Sequence, residues 1–415
     1  MENACFEDGF VITAKNGVKL EVEYRSRVVE PGKTYKLCGE DFVPSYGSYA
    51  AITELCYQSD PAKNGRLIVT ASVTAEVGDN STVACVMMSE DKGKTWSCIA
   101  RPKEVLFPEL PSVGSMAHVY ELPVKIGDMP AGTLLYSYNS VRYGTMEDRK
   151  SGHCVLPVWR SFDAGYTWEE YVVIDEGGGI REGVWEPYIT YCEEDGYLYC
   201  FYSDDSDPDH DQKISYKRSK DGVNWEGEGG KIGTGTGKDV EPVDVVAIDV
   251  FEYRPGMVSI TKMGNGEYFL VYEQFGDSWS GCPIFYRKTR DLSYWGEPND
   301  VGTRISASED GAIQMSAPAC IWMPQGGECG TLLVTSKISS NKGFIMASFD
   351  YGNTWEKLPD PIPSVANEAL KKRIGYSALF WPSSDGESFY YVNSTNSPCD
   401  ENKQMIALAK LRIHK

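Results

Sequence analysis

Histidine is almost missing from this chain. Four residues, His118, His153, His210 and His414, are all it has in 415. No two stand at helical or finger spacing, so a zinc site or a Ser-His-Asp triad has little to draw on. Positive charge is also short. Forty Lys and Arg face sixty Asp and Glu, a formal charge of −20, and so acidic a surface repels nucleic acid and anionic lipid. No apolar run is long enough to cross a bilayer. The first residues, Met1 to Asp8, lack the basic stretch and apolar run of a signal peptide. The chain is therefore expected to be cytoplasmic, or secreted with its leader already gone. Twelve cysteines include no C-x-x-C pair, and several lie in apolar strand-like runs, as Cys85, Cys192, Cys200 and Cys320 do. Buried reduced thiols are expected rather than a disulfide framework. No metal or organic cofactor is implied, and the chain is read as a monomer.

Glycine (41 residues) and aromatics (12%, with 26 Tyr and 10 Trp) are plentiful. They suit many tight turns and either many strands or a sugar-binding surface. A repeat explains both. Ser89-Glu-Asp91-Lys-Gly93-Lys-Thr95-Trp96 recurs from Ser161 to Trp168 and from Ser348 to Trp355. A copy one residue shorter runs from Ser219 to Trp225, and a degraded one from Thr289 to Trp295. Successive starts lie 72, 58, 70 and 59 residues apart. The aspartate can accept backbone N–H groups inside a tight turn, the glycine tolerates positive φ, and the tryptophan buries an apolar face at the next strand. The pattern resembles the Asp-box of sialidase-like β-propellers.

Around each box the same order of strand-like runs appears. Inner runs start near Tyr49, Ser115, Trp185, Met257, Gln314 and Tyr376. The sixth unit lacks a box and is one strand short, and the amino-terminal run Val18–Tyr24 can supply it. The expected fold is therefore all-β: a single six-bladed β-propeller domain spanning residues 1–415, its sixth blade closed by the N-terminal strand. The longest connection, Gly227–Tyr253, is expected to wall the rim beside the site.

In a propeller the innermost strands run along a central axis, and residues at equivalent ends face one another at one mouth. Glu186 stands there, between Trp185 and Pro187; the proline, with no amide hydrogen, suits the first residue of a strand. Alone, Glu186 reads first as an edge-strand glutamate in water. Glu273, at the end of a neighbouring blade's second strand, gives it a partner. Two carboxylates across a cleft are the apparatus of glycoside hydrolysis, one attacking or activating water and the other protonating the leaving oxygen. Tyr49 and Asn139 are further residues of this mouth. Glu241, in Val-Glu-Pro, is a rival acid.

The run Trp185-Glu186-Pro187, Tyr202-Ser203-Asp204, Asp211-Gln212-Lys213, Arg254-Pro-Gly-Met257 and Val271-Tyr-Glu273 resembles glycoside hydrolase family 93, the exo-α-1,5-L-arabinanases. The resemblance implies a retaining six-bladed propeller that releases arabinobiose from arabinan. It implies Glu186 as nucleophile, Glu273 as acid/base and Tyr376 bordering the site. Trp185, Asp204, Asp211, Gln212, Arg254, Tyr49 and Asn139 are the substrate-binding candidates, and an oligo- or polysaccharide is the expected partner. Two rivals remain. An exo-α-sialidase needs arginines converging on a carboxylate, and the first inner strand, Ser48-Tyr49-Ala-Ala-Ile52, carries none. A non-catalytic carbohydrate-binding propeller would hold Glu186 and Glu273 apart.

Overall fold

The computed structural model describes residues 9–37, 40–75, 82–102, 112–142, 151–179, 181–233, 237, 239–276, 281–337, 343–362, 376–397 and 400–415. The amino-terminal octet read above lies outside them. Among the described residues there is no α-helix, only strands and short 3-10 turns at Pro61–Lys63 and Glu228–Gly230. Among the described residues no helix is long and apolar enough to cross a membrane.

The chain opens with the hairpin β1 (Phe10–Thr13) and β2 (Lys19–Val29), then a small hairpin of β3 (Tyr35–Leu37) and β4 (Glu40–Phe42). Four-stranded antiparallel sheets follow. Blade one is β5 (Pro44–Glu54), β6 (Leu67–Ala75), β7 (Thr82–Ser89) and β8 (Ser97–Ala100). Blade two is β9 (Ser112–Glu121), β10 (Leu134–Arg142), β11 (His153–Ser161) and β12 (Glu169–Gly177). Blade three is β13 (Val184–Tyr191), β14 (Leu198–Asp204), β15 (Lys213–Ser219) and β16 (Val243–Val246). Blade four is β17 (Arg254–Lys262), β18 (Tyr268–Phe275), β19 (Ile284–Thr289) and β20 (Thr303–Arg304). Blade five is β21 (Ala319–Met323), β22 (Thr331–Thr335), β23 (Phe344–Ser348) and β24 (Glu356–Pro359). The last sheet runs β25 (Leu379–Pro382), β26 (Ser388–Ser397), β27 (Asp400–His414), β2, β1. The amino-terminal strand therefore completes blade six, paired to β27 from Lys19↔His414 to Val29↔Ile406, and β1 adds a fifth strand outside it. Inner strands β5, β9, β13, β17, β21 and β25 pack each against the next, and β25 against β5, which closes the ring.

The core is layered. One apolar cluster fills each gap between successive blades, such as Leu20, Ile321, Phe380 and Phe389 between five and six and Val141, Leu156, Ile189 and Tyr202 between two and three. The repeated turns act as staples. Asp91 Oδ1 accepts the amide of Thr95 at 2.8 Å and its Oδ2 the Thr95 hydroxyl at 2.7 Å. Asp163 and Asp350 repeat both bonds. Gly93, Gly165 and Gly352 take φ of 94°, 94° and 84° there, which only glycine adopts without steric cost. The box tryptophans Trp96, Trp225, Trp295 and Trp355 are buried. The described cysteines are all free thiols, most of them buried.

Two expectations change. The connection Gly227–Tyr253 is no simple rim wall, because β16, the outer strand of blade three, lies inside it. Pro187 is not the first residue of its strand. β13 begins at Val184, and the proline falls where the register jumps from Trp185↔Ser203 to Tyr188↔Phe201. A residue without an amide hydrogen fits that interruption as well as it fits a strand start.

Candidate active site

The same interruption recurs around the axis. Pairing in blade one jumps from Ser48↔Ser72 to Ala51↔Thr70, in blade two from Asn139↔Ser115 to Ser137↔His118, and in blade four from Gly256↔Glu273 to Ser259↔Val271. Each of these four inner strands carries one extra residue, a β-bulge at a fixed height. The first bulged residue is left-handed: Tyr49 (φ 50°), Glu186 (59°) and Met257 (57°), with Ala317 (48°) and Ser377 (57°) at the matching places in blades five and six. Non-glycine residues in that region cost on the order of 1–3 kcal/mol each, and they gather at functional sites. A bulge re-aims its side chain, and here it turns that of Glu186 toward blade four.

Glu186 Oε2 accepts the Ser203 hydroxyl at 2.5 Å and the Met257 amide at 2.8 Å. It thus lies against the backbone of β17, where Gly256 leaves room. A Cβ on Gly256 would come within 3.3 Å of Glu186 Oε2 and 2.3 Å of Gln212 Nε2. Gly256 is the cross-strand partner of Glu273, so the two acids meet across one glycine. Glu273 is buried, and its Oε2 accepts the Ala317 amide at 2.6 Å. Burial first, then the charge of Glu273, pushes the Glu186 carboxyl up to about 8. Burial also raises Glu273, opposed by the Ala317 amide. The charge of Glu273 therefore acts on Glu186 across the blade boundary. Tyr376 completes the cluster. Its hydroxyl is raised by burial and then by the charges of Glu273 and Glu186, and its ring meets Tyr49 edge-on at 5.3 Å. A cavity of about 50 Å³ beneath, lined by Glu186, Tyr188, His118, Met257 and Ser377 among others, continues down the axis. Burial lowers His118 to about 3, so the imidazole is neutral.

The remaining candidates form a layer behind this pair. Arg254 Nη2 donates to Asp205 Oδ2 at 2.9 Å and to Gln212 Oε1 at 2.6 Å, and Nη1 to the Asp211 carbonyl at 2.8 Å. Gln212 Nε2 donates to the Pro255 carbonyl at 2.8 Å. Trp185 is buried in the layer between blades two and three, and its indole N–H donates to Asp205 at 3.1 Å. Asp211 also pairs with Arg181 at 2.9 Å. Asp204 is buried, raised to about 6 by that burial, and accepts the amide and hydroxyl of Ser206. Asn139 is buried at the position in blade two that Ser203 holds in blade three. Glu241 is exposed and lines a rim groove of about 980 Å³ with Asp204, Asp205, Asp207 and Asp211, away from the cavity under Glu186. Among the described residues no cluster of His, Cys, Asp and Glu is arranged for a metal ion.

Sequence reasoning passed over Ser203, Asp205, the Met257 and Ala317 amides, and Lys337, whose ammonium lies 5.0 Å from the Tyr376 ring centroid. The Ser203-Asp204-Asp205 run at a strand mouth was the available signal for two of them. A lysine two residues past the apolar strand β22 was the signal for another.

No family model matches the chain, and no curated protein matches it. Solved structures do. An α-L-arabinanase of Penicillium chrysogenum, solved with arabinobiose, superposes with a TM-score of 0.72 at 24% identity, over 94% of this chain and 97% of that one. A family 93 α-L-arabinofuranosidase of Fusarium graminearum, also solved with arabinobiose, gives 0.68 at 23% identity over the same shares. The NanB sialidase of Streptococcus pneumoniae gives 0.54 at 11% identity, over 89% of this chain and 68% of that one. What these proteins share with the chain is the fold. The class the architecture defines is therefore the six-bladed β-propeller. Within it the chain is similar over almost its whole length to the arabinanase and the arabinofuranosidase.

Proposed function

We propose that the protein is a retaining exo-α-1,5-L-arabinanase that releases arabinobiose from the ends of arabinan. The observation that carries this reading is the approach of Glu186, part-buried, and Glu273, buried, to Gly256 from adjacent blades at one mouth. Glu186 is the nucleophile. Two donors hold its Oε2, which fixes the carboxylate and stabilises its anion. Glu273 protonates the departing oxygen and then draws a proton from water as the glycosyl-enzyme is hydrolysed. Both carboxyls are raised, so the division of roles rests on geometry: Glu186 Oε2 is held by two donors, while Glu273 stands on the neighbouring blade. Tyr376 borders both carboxyls and donates to the nucleophile or the sugar.

The likeness to the arabinobiose-bound enzymes supports the choice of glycan. A sialidase would want free arginines at the mouth, but Arg254 is tied to Asp205 and Asp211. Incubation with linear α-1,5-arabinan is expected to yield arabinobiose from the first minutes, with no ladder of intermediate lengths. A ladder, or hydrolysis of a sialoside instead, overturns the reading.

A further inference from the structure

The blades offer six equivalent places facing the axis, each a second-strand residue opposite the position ahead of the bulge. In blades one to four the register makes them Ser72, Asn139, Ser203 and Glu273. In blade five it is Lys337, whose amide donates to the Ser316 carbonyl at 2.8 Å, and in blade six Ser394, whose hydroxyl donates to the Tyr376 carbonyl at 3.5 Å. Four of the six are small and neutral. The two that are charged have opposite signs and stand side by side on blades four and five.

We propose that Lys337 is a positioning residue for the acid pair: its ammonium, on the blade next to Glu273, balances the charge of the pair, and its seat on the Tyr376 ring fixes the tyrosine beside them. This rests on the reaction proposed above. The charged and titratable groups around the pair come from several blades: His118 on β9 and Tyr188 on β13 line the cavity with Glu186, Asp205 follows β14, Asp211 precedes β15, Arg254 begins β17, Cys282 precedes β19, Lys337 follows β22 and Tyr376 precedes β25. Arg254 is bound to two carboxylates, Asp205 at 2.9 Å and Asp211 at 3.2 Å, so its charge is largely cancelled. Lys337 favours the ionised forms of both Glu273 and Cys282. A cation beside two acids lowers both of their proton-release steps. Its ring contact is of the cation–π type, worth more where water is excluded.

The test compares wild type with K337R, K337M and K337Q, in two measurements. One is the pH profile of kcat/KM on arabinan oligosaccharides. The other is the titration of 13C-labelled glutamate carboxyls by NMR in the substrate-free protein. Removing the charge is expected to move both limbs, and both carboxyl titrations, to higher pH by about one unit, while K337R stays within a few tenths of wild type. A purely structural lysine would lower kcat or the melting temperature in K337M and K337Q and leave the pH limbs in place; that result overturns the proposal. The carboxyl titration needs no substrate. If wild type cleaves no arabinoside, the proposed function falls while the titration still decides the role of Lys337.

Discussion

Glu186 holds its proton far more tightly than a glutamate in water, through burial and then the charge of Glu273. Its folded value of about 8 stands above its ordinary 4.5, so between those limits the folded chain holds a proton that the unfolded chain releases. Stability therefore falls as pH rises from about 4.5 to 8. Glu186→Gln keeps the acceptor oxygen for Ser203 and Met257 and removes the ionisation. It is expected to melt level with wild type at pH 5 and several degrees above it at pH 8, by calorimetry. The same variant is expected to lose turnover by at least about 1,000-fold, since an amide cannot serve as nucleophile. Glu273→Ala should behave differently. It loses its activity on arabinan but still forms the glycosyl-enzyme from an aryl arabinoside whose leaving group needs no proton, and added azide restores turnover of that substrate. Loss of both activities with no azide effect would move the acid role elsewhere.

The inner-strand bulge is the element that makes two distant acids partners, and Gly256 is where it allows contact. Gly256→Ala places a methyl 2.3 Å from Gln212 Nε2. It is expected to cost about 1–3 kcal/mol of stability and to reduce kcat far more than it raises KM, because it displaces the scaffold under the pair. Unchanged kinetics would show that the contact is slack. Blades were legible because the box is local: Ser, Asp, Gly and Trp each have a fixed job within eight residues. Glu186 and Glu273 were legible because counting from the boxes puts both at one mouth. The bulge was not. Its left-handed residues are Tyr49, Glu186 and Met257, none of them a glycine, so no composition signal marks it; tertiary packing holds them there. Trp185, read as a ligand of sugar, is packed inward because the bulge turns its neighbour outward. Arg254 was legible as a mouth residue, yet its partner Asp205 lies on another blade, beyond any local pattern. The outer strand β16 was hidden in a long connection because it is four residues long.

At the scale of the whole molecule the ring is closed by chain ends. β2 is hydrogen-bonded to β27 along its length, and Leu20 and Val22 are fully buried in the layer between blades five and six. Leu20→Ala is expected to destabilise by about 2–5 kcal/mol. Removal of residues 1–29 should abolish the cooperative melting transition altogether, since the outermost strands of blade six go with them. A truncated chain that still melts sharply would mean the other five blades do not depend on closure. Closure matters to function because it fixes the height at which β13 and β18 present their acids. The most direct test of that union is covalent. A 2-deoxy-2-fluoro arabinoside with a good leaving group traps the glycosyl-enzyme of a retaining enzyme, and mass spectrometry of the digested protein locates the sugar. The label is expected on the peptide containing Glu186, with E273A blocking its transfer from arabinan oligosaccharides but not from the activated donor. A label on Tyr376, or on any residue outside the Glu186–Glu273 cluster, would contradict the pairing of these two carboxylates over one glycosidic bond.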